Sequence, residues 1–196
     1  LTALLWLWFI NLFNFMDGID GIAGVQTVGI GIGIFVTAKL GNLDAFWLGL
    51  GLTAAAAAFG FLRWNWYPAR IFLGDVGSIP LGFLLGWLLL SLAASGHPVP
   101  ALILPMYFLA DATITLIRRT ARGEKIWKPH REHFYQLAIK NGLRHDQVSG
   151  IIAVANIFLI MFALVAIQGF PLLAFWGTLS AMALLFFFLA KGGPTE

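Results

Sequence analysis

The chain contains no cysteine and little charge: of its 196 residues, 11% are Asp, Glu, Lys or Arg. Without cysteine there is no disulfide framework and no thiolate metal site. A soluble domain carries about 25% charged residues, so this scarcity excludes an ordinary soluble fold. The first apolar run begins Leu1-Thr2-Ala3-Leu4-Leu5-Trp6, with neither Met nor a basic segment before it. That is no signal peptide. It reads as a chain entered partway through, with N-terminal segments of a parent protein expected upstream.

Apolar residues supply what is abundant, 60% of the total. Seven apolar segments, near 1–13, 22–38, 45–61, 79–95, 100–118, 149–167 and 172–190, approach the ~17–25 residues that a spanning helix needs. Turn chemistry separates them at Gly41-Asn42, Trp66-Tyr67-Pro68, Ser95-Gly96-His97-Pro98 and Gly169-Phe170-Pro171. The predicted fold class is all-α: a polytopic transmembrane helix bundle of about seven spanning segments, one integral-membrane domain over 1–196. Small residues at Gly29/Gly33, Gly82/Gly86 and Ala54–Ala58 suit close helix–helix contact.

Lys and Arg orient the bundle. If the helices alternate, the breaks at 14–21, 62–78 and 119–148 and the tail at 191–196 share one side. Of the 12 Lys and Arg, Lys39 alone falls on the other. The first side is therefore assigned as cytoplasmic, and 119–148 as a cytoplasmic basic, histidine-bearing loop. Asp17, Asp20, Asp75, His130 and His133 all land on that side. A structural protein would have no reason to gather them there.

Three stretches carry chemistry. In Asn14-Phe15-Met16-Asp17-Gly18-Ile19-Asp20-Gly21, two carboxylates three residues apart would share a face if on one helical turn. They suit a hydrated divalent cation or the donors of a polar ligand. Equally, Asn and Asp there could cap the next helix. In Phe72-Leu73-Gly74-Asp75-Val76-Gly77-Ser78, glycines flank an acid just before a span, with Ser78 placed as N-cap and Pro80 in the first turn. Asp75 there would be a metal ligand beside a helix N-terminus that favours phosphate; the plainer reading is a capped helix start.

In the third stretch, His130-Arg131-Glu132-His133 follows Pro129, and Arg131 could grip phosphate bidentately. A basic segment of this kind also simply holds topology. Zinc is the rival, but the spacing is not HExxH and no third ligand is evident. His97 and His145 read as surface or loop histidines. Asp111, inside a predicted span, is a functional candidate by position; seven residues before Arg118, it is expected to pair there, with no catalytic role.

Together NFMDGIDG at 14–21, FLGDVGS at 72–78 and PHREHFYQ at 129–136 resemble the polyprenyl-phosphate N-acetylhexosamine-1-phosphate transferase family, glycosyltransferase family 4. The resemblance implies a Mg²⁺-dependent enzyme, with Mn²⁺ as a substitute. It would transfer an N-acetylhexosamine-1-phosphate from a UDP-sugar to undecaprenyl phosphate, releasing UMP, as the first step of O-antigen or cell-envelope glycan assembly. It would sit in the bacterial inner membrane with its active site cytoplasmic. By the same resemblance Asp75 is the metal ligand and Asp17, His130 and His133 are catalytic. Asn14, Asp20, Phe72 and Arg131 bind substrate, Asp20 and Phe72 at the uracil.

The implied partners are undecaprenyl phosphate, a UDP-N-acetylhexosamine and membrane lipid, with no nucleic acid; a homodimer is compatible with the family. The family's paired aspartates are absent, since no Asp-Asp occurs in 1–196. They are expected upstream of Leu1, and the chain alone is expected to be inactive. His-Arg-Glu-His is closer to O-antigen initiators than to the phospho-MurNAc-pentapeptide transferases, which remain the alternative. A transporter or a non-catalytic membrane scaffold are the rivals of another class.

Overall fold

In the computed structural model, residues 1–125 and 130–191 are described; Lys128 and Pro129 of the basic stretch and the tail beyond Lys191 lie outside the described residues. The described residues form helices joined by short connections, as the apolar segments require. They are α1 (Thr2–Met16), α2 (Ile22–Leu40), α3 (Ala45–Asn65), α4 (Gly74–Ala94), α5 (Pro98–Ile103), α6 (Met106–Ala121), α7 (Phe134–Lys140), α8 (His145–Ile167) and α9 (Pro171–Lys191).

Five of these, α2, α3, α4, α8 and α9, are long and apolar enough to cross a membrane. That corrects the expectation of about seven spans. The segment at 100–118 is broken at Leu104-Pro105 into the short α5 and α6, because proline supplies no N–H to continue the helical ladder. α1 reaches only 15 residues.

α2 is the central helix, and its composition shows why. Gly31 and Gly51 bring α2 and α3 into backbone contact: a Cβ on Gly31 would stand 2.7 Å from the Gly51 carbonyl oxygen. Ala54, Ala55 and Ala58 are buried along the same face of α3. Gly29 accepts the side chain of Asn156 from α8, and Gly82 of α4 lies against the backbone of Ile10 in α1. The small residues thus set the spacing of the bundle, as expected. Large apolar side chains such as Phe59, Phe83, Phe158 and Leu184 point outward and are exposed, which suits a multi-pass membrane protein surrounded by lipid tails.

Hydrogen bonds tie the polar connections together at one end of the bundle. Asn65 Oδ1 accepts from Gly21 N at 3.0 Å, Ser78 Oγ donates to Asn14 Oδ1 at 2.6 Å, and Asn141 Nδ2 donates to Ala190 O at 3.0 Å. His97 is at the other end, against the Gly41 turn.

Candidate active site

The connection 17–21 is not helical: α1 stops at Met16 and α2 starts at Ile22. Asp17 and Asp20 therefore do not share a helical turn, and no side chain of this stretch caps α2. Instead Gly21 turns the chain with φ 81°, and its N–H is held by Asn65. The second stretch also differs from expectation. α4 begins at Gly74, so Asp75 sits in its first turn and Ser78 is buried within it, bonded to Asn14 rather than capping.

These elements enclose a cleft of about 350 Å³ lined by Asn14, Asp17, Asp20, Phe72, Asp75 and His145, among others. Asp17 is half-buried there, and its pKa is pushed up to about 6, first by burial and then by the negative charge of Asp75. Two carboxylates that raise one another's energy across a polar cleft suit a divalent cation. Among the described residues no group of three or more His, Asp or Glu could hold a metal unaided. Mg²⁺ does not need one, since it takes one or two carboxylates and completes its shell with water and substrate phosphates.

Asp20 lines the cleft but is also structural. Its Oδ2 accepts from Ala69 N at 3.0 Å, and its carbonyl oxygen accepts from Ser149 Oγ at 2.7 Å. His145 Nδ1 stands 3.4 Å from Asp20 Oδ1. His145 is therefore no ordinary surface histidine; it joins the cleft from the first residue of α8. The only cue in the sequence was its place at the start of a span on the polar side. Phe72 is 73% exposed at the cleft wall, a free aromatic face.

The histidine stretch lies beside the cleft and outside its lining. His133 is buried, with Nδ1 3.0 Å from Asp111 Oδ1. Its ring is stacked on Tyr135, with centroids 5.8 Å apart, and His130 packs on it at 4.9 Å. Burial, then the nearby His133 and Arg119, push the His130 pKa down. Asp111 does not pair with Arg118, whose guanidinium lies over the Phe134 ring. Seven residues rise about 10 Å along a helix, and the carboxylate turns instead to the start of α7. Arg119 and Arg122 pair with Glu124, and Arg122 also with Glu132. Arg131 is exposed and outside those pairs.

Tyr135 joins this layer to the cleft. Its hydroxyl donates to Phe15 O at 3.3 Å, and a Cβ at Gly18 would overlap that hydroxyl, with Cζ 3.1 Å away. Gly18→Ala is expected to destabilise the protein by about 1–3 kcal/mol through overpacking. Adding Tyr135→Phe should return most of it, because the clash is with the oxygen. Thermal unfolding of the two single variants and the double variant in detergent measures the coupling.

Residues 1–93 match the family model described as Glycosyl transferase family 4. A Bacillus subtilis (strain 168) protein named "Probable undecaprenyl-phosphate N-acetylglucosaminyl 1-phosphate transferase" is 32% identical over 139 residues, covering 69% of this chain and 38% of that protein. A "Phospho-N-acetylmuramoyl-pentapeptide-transferase" of Kosmotoga olearia is 32% identical over 135 residues, covering 66% of this chain and 40% of its own length. An "Undecaprenyl-phosphate alpha-N-acetylglucosaminyl 1-phosphate transferase" of Yersinia pestis is 30% identical over 165 residues, covering 80% and 45%. The chain thus spans less than half the length of each of these relatives.

Proposed function

Because the chain belongs to glycosyl transferase family 4, we propose that its cleft serves transfer of an N-acetylhexosamine-1-phosphate from a UDP-sugar to undecaprenyl phosphate. The observation that carries this is that Asp17 and Asp75 line one polar cleft, where burial first and the Asp75 charge second raise the Asp17 pKa. An oxygen of the lipid phosphate bonds to the sugar-bearing phosphorus of the nucleotide, and the bond to the other phosphate breaks, releasing UMP. Both reactants are anions, so the difficulty is repulsion. Mg²⁺, held by Asp75 and adjoining Asp17, would supply positive charge to the diphosphate.

The chain's own residues do the rest. Phe72 offers a stacking face for the uracil, and Asp20 lines the same cleft, held in place by Ala69 N–H. Asn14, fixed by Ser78 through its Oδ1, keeps its amide N–H groups for the ligand. Arg131 and the His130/His133 pair provide donors for phosphate oxygens at the flank. The cleft opens at the cytoplasmic face of the bacterial inner membrane, the side that carries the Lys and Arg. Asp17, Asp20 and Asp75 gather in one cleft at one end, whereas a transporter would keep its acids near the bilayer midplane.

Similarity extends to both N-acetylglucosaminyl and phospho-N-acetylmuramoyl-pentapeptide transferases, so the donor is the variable to test. The full-length protein, given polyprenyl phosphate and a panel of radiolabelled UDP-N-acetylhexosamines, should move label into lipid extract and release UMP in a Mg²⁺-dependent way. Incorporation from UDP-MurNAc-pentapeptide alone would place it on the peptidoglycan branch. Failure with every donor would end the proposal.

A further inference from the structure

Asp111 is fully buried in α6, outside the lining of the Asp17/Asp75 cleft, and its ionisable partner is His133. Its Oδ1 accepts from Phe134 N at 3.0 Å and its Oδ2 from Tyr135 N at 3.4 Å. Thr115 Oγ1 lies 3.3 Å from Oδ1, and Tyr107 Oη 3.5 Å from Oδ2. The same Oδ1 meets His133 Nδ1 at 3.0 Å. A backbone N–H can only donate, so Oδ1 is an acceptor, and the histidine nitrogen that shares it carries a hydrogen.

Anchoring α7 does not require a charge. What it requires is two acceptor oxygens, since Phe134 N–H and Tyr135 N–H go to different oxygens of Asp111, and an asparagine would leave one of them facing an NH₂ group. The contact of Asp111 with His133 adds a second role, because a carboxylate that accepts from one ring nitrogen fixes the tautomer and orientation of the imidazole.

We propose that Asp111 is a positioning residue that fixes His133 with Nδ1–H toward the bundle, so that Nε2 is the ring nitrogen left to exchange a hydrogen bond with a phosphate group. The inference rests on the proposed function only for its activity readout. His133 faces three titratable groups, Asp111, His130 and Tyr135, and beyond His130 lie Arg119, Glu124 and Glu132.

Two measurements test this. Imidazole ¹⁵N NMR of the histidine-labelled full-length protein, assigned by His133→Gln, should show neutral His133 protonated at Nδ1 and bare at Nε2. The opposite tautomer overturns the proposal whatever the enzyme's activity. Asp111→Asn leaves one acceptor oxygen where Phe134 N–H, Tyr135 N–H and His133 Nδ1–H now share two. It should lower kcat for sugar-phosphate transfer about 10–100-fold with KM for the UDP-sugar unchanged. The Nε2–H tautomer of His133 should then appear in the spectrum, because the acceptor that holds Nδ1–H is weakened. An unchanged kcat and an unchanged tautomer in that variant would overturn the positioning role. If Asp111→Asn does not fold, the tautomer of the unsubstituted protein still decides. Absence of transfer by the unsubstituted protein would sink the functional reading and leave the tautomer result standing.

Discussion

Asp75→Asn in the full-length protein is expected to lower sugar-phosphate transfer on the order of 10³-fold, the loss of several kcal/mol of charge stabilisation at the diphosphate. The side chain stands exposed in the first turn of α4, so little packing depends on it. Asparagine is isosteric and well tolerated at a helix start. Folding should therefore survive while turnover does not. The variant should also lose its response to Mg²⁺, and it should let the Asp17 pKa fall, since the charge that helps to raise it is gone. Release of UMP over a Mg²⁺ titration reads the first effect, and carboxyl ¹³C NMR of labelled aspartate reads the second. Unchanged turnover would remove the metal assignment to Asp75.

The helices were readable because each apolar run is bounded by Gly, Pro or Asn, and hydropathy reports such runs directly. It reports continuity less well. The run at 100–118 is apolar throughout, so its break at Leu104-Pro105 was visible only as one proline. Asn14, Asp17, Asp20, Phe72 and Asp75 were picked out by resemblance, and they do line one cleft. Residue spacing alone would have misplaced two of them, because Asp17 and Asp20 meet through an irregular turn held by Asn65 and Ser149. His145 and Asp111 were misjudged for a shared reason. Their partners lie far along the chain, Asp20 and His133 respectively, and local pattern carries no information on such contacts. Arg118 looked like the natural partner for Asp111 only because it is near in sequence. Glu124 and Glu132 likewise turn a basic stretch into a partly neutralised one.

Asp17→Asn should separate stability from function with opposite signs. The pKa of Asp17 is pushed up to about 6 in the folded protein from the ordinary carboxylate value of 3.8, so the folded protein binds this proton more tightly than the unfolded chain does. Below about pH 4 both states are protonated and the site costs nothing. As pH rises from there through 6 the unfolded state ionises first, and stability is lost. Above pH 6 the full penalty applies. Two units correspond to about 3 kcal/mol, an upper figure because solvent reaches part of the side chain, so a gain of about 1–3 kcal/mol is expected from Asn at pH 7.5 in EDTA. The gain should vanish at pH 4, where the native Asp is neutral too. Adding Mg²⁺ should raise the melting temperature of the unsubstituted protein and not that of the variant, since a cation that binds only the folded state stabilises it. Turnover of the variant should fall at least as steeply as its stability rises. Such a trade marks a residue kept for chemistry at the expense of the fold. Melting curves across pH 4–8, with and without Mg²⁺, check all of this without any knowledge of the sugar. A variant no more stable than the parent at pH 7.5 would mean that Asp17 and Asp75 do not strain one another, and the cleft would lose its reason to hold a cation.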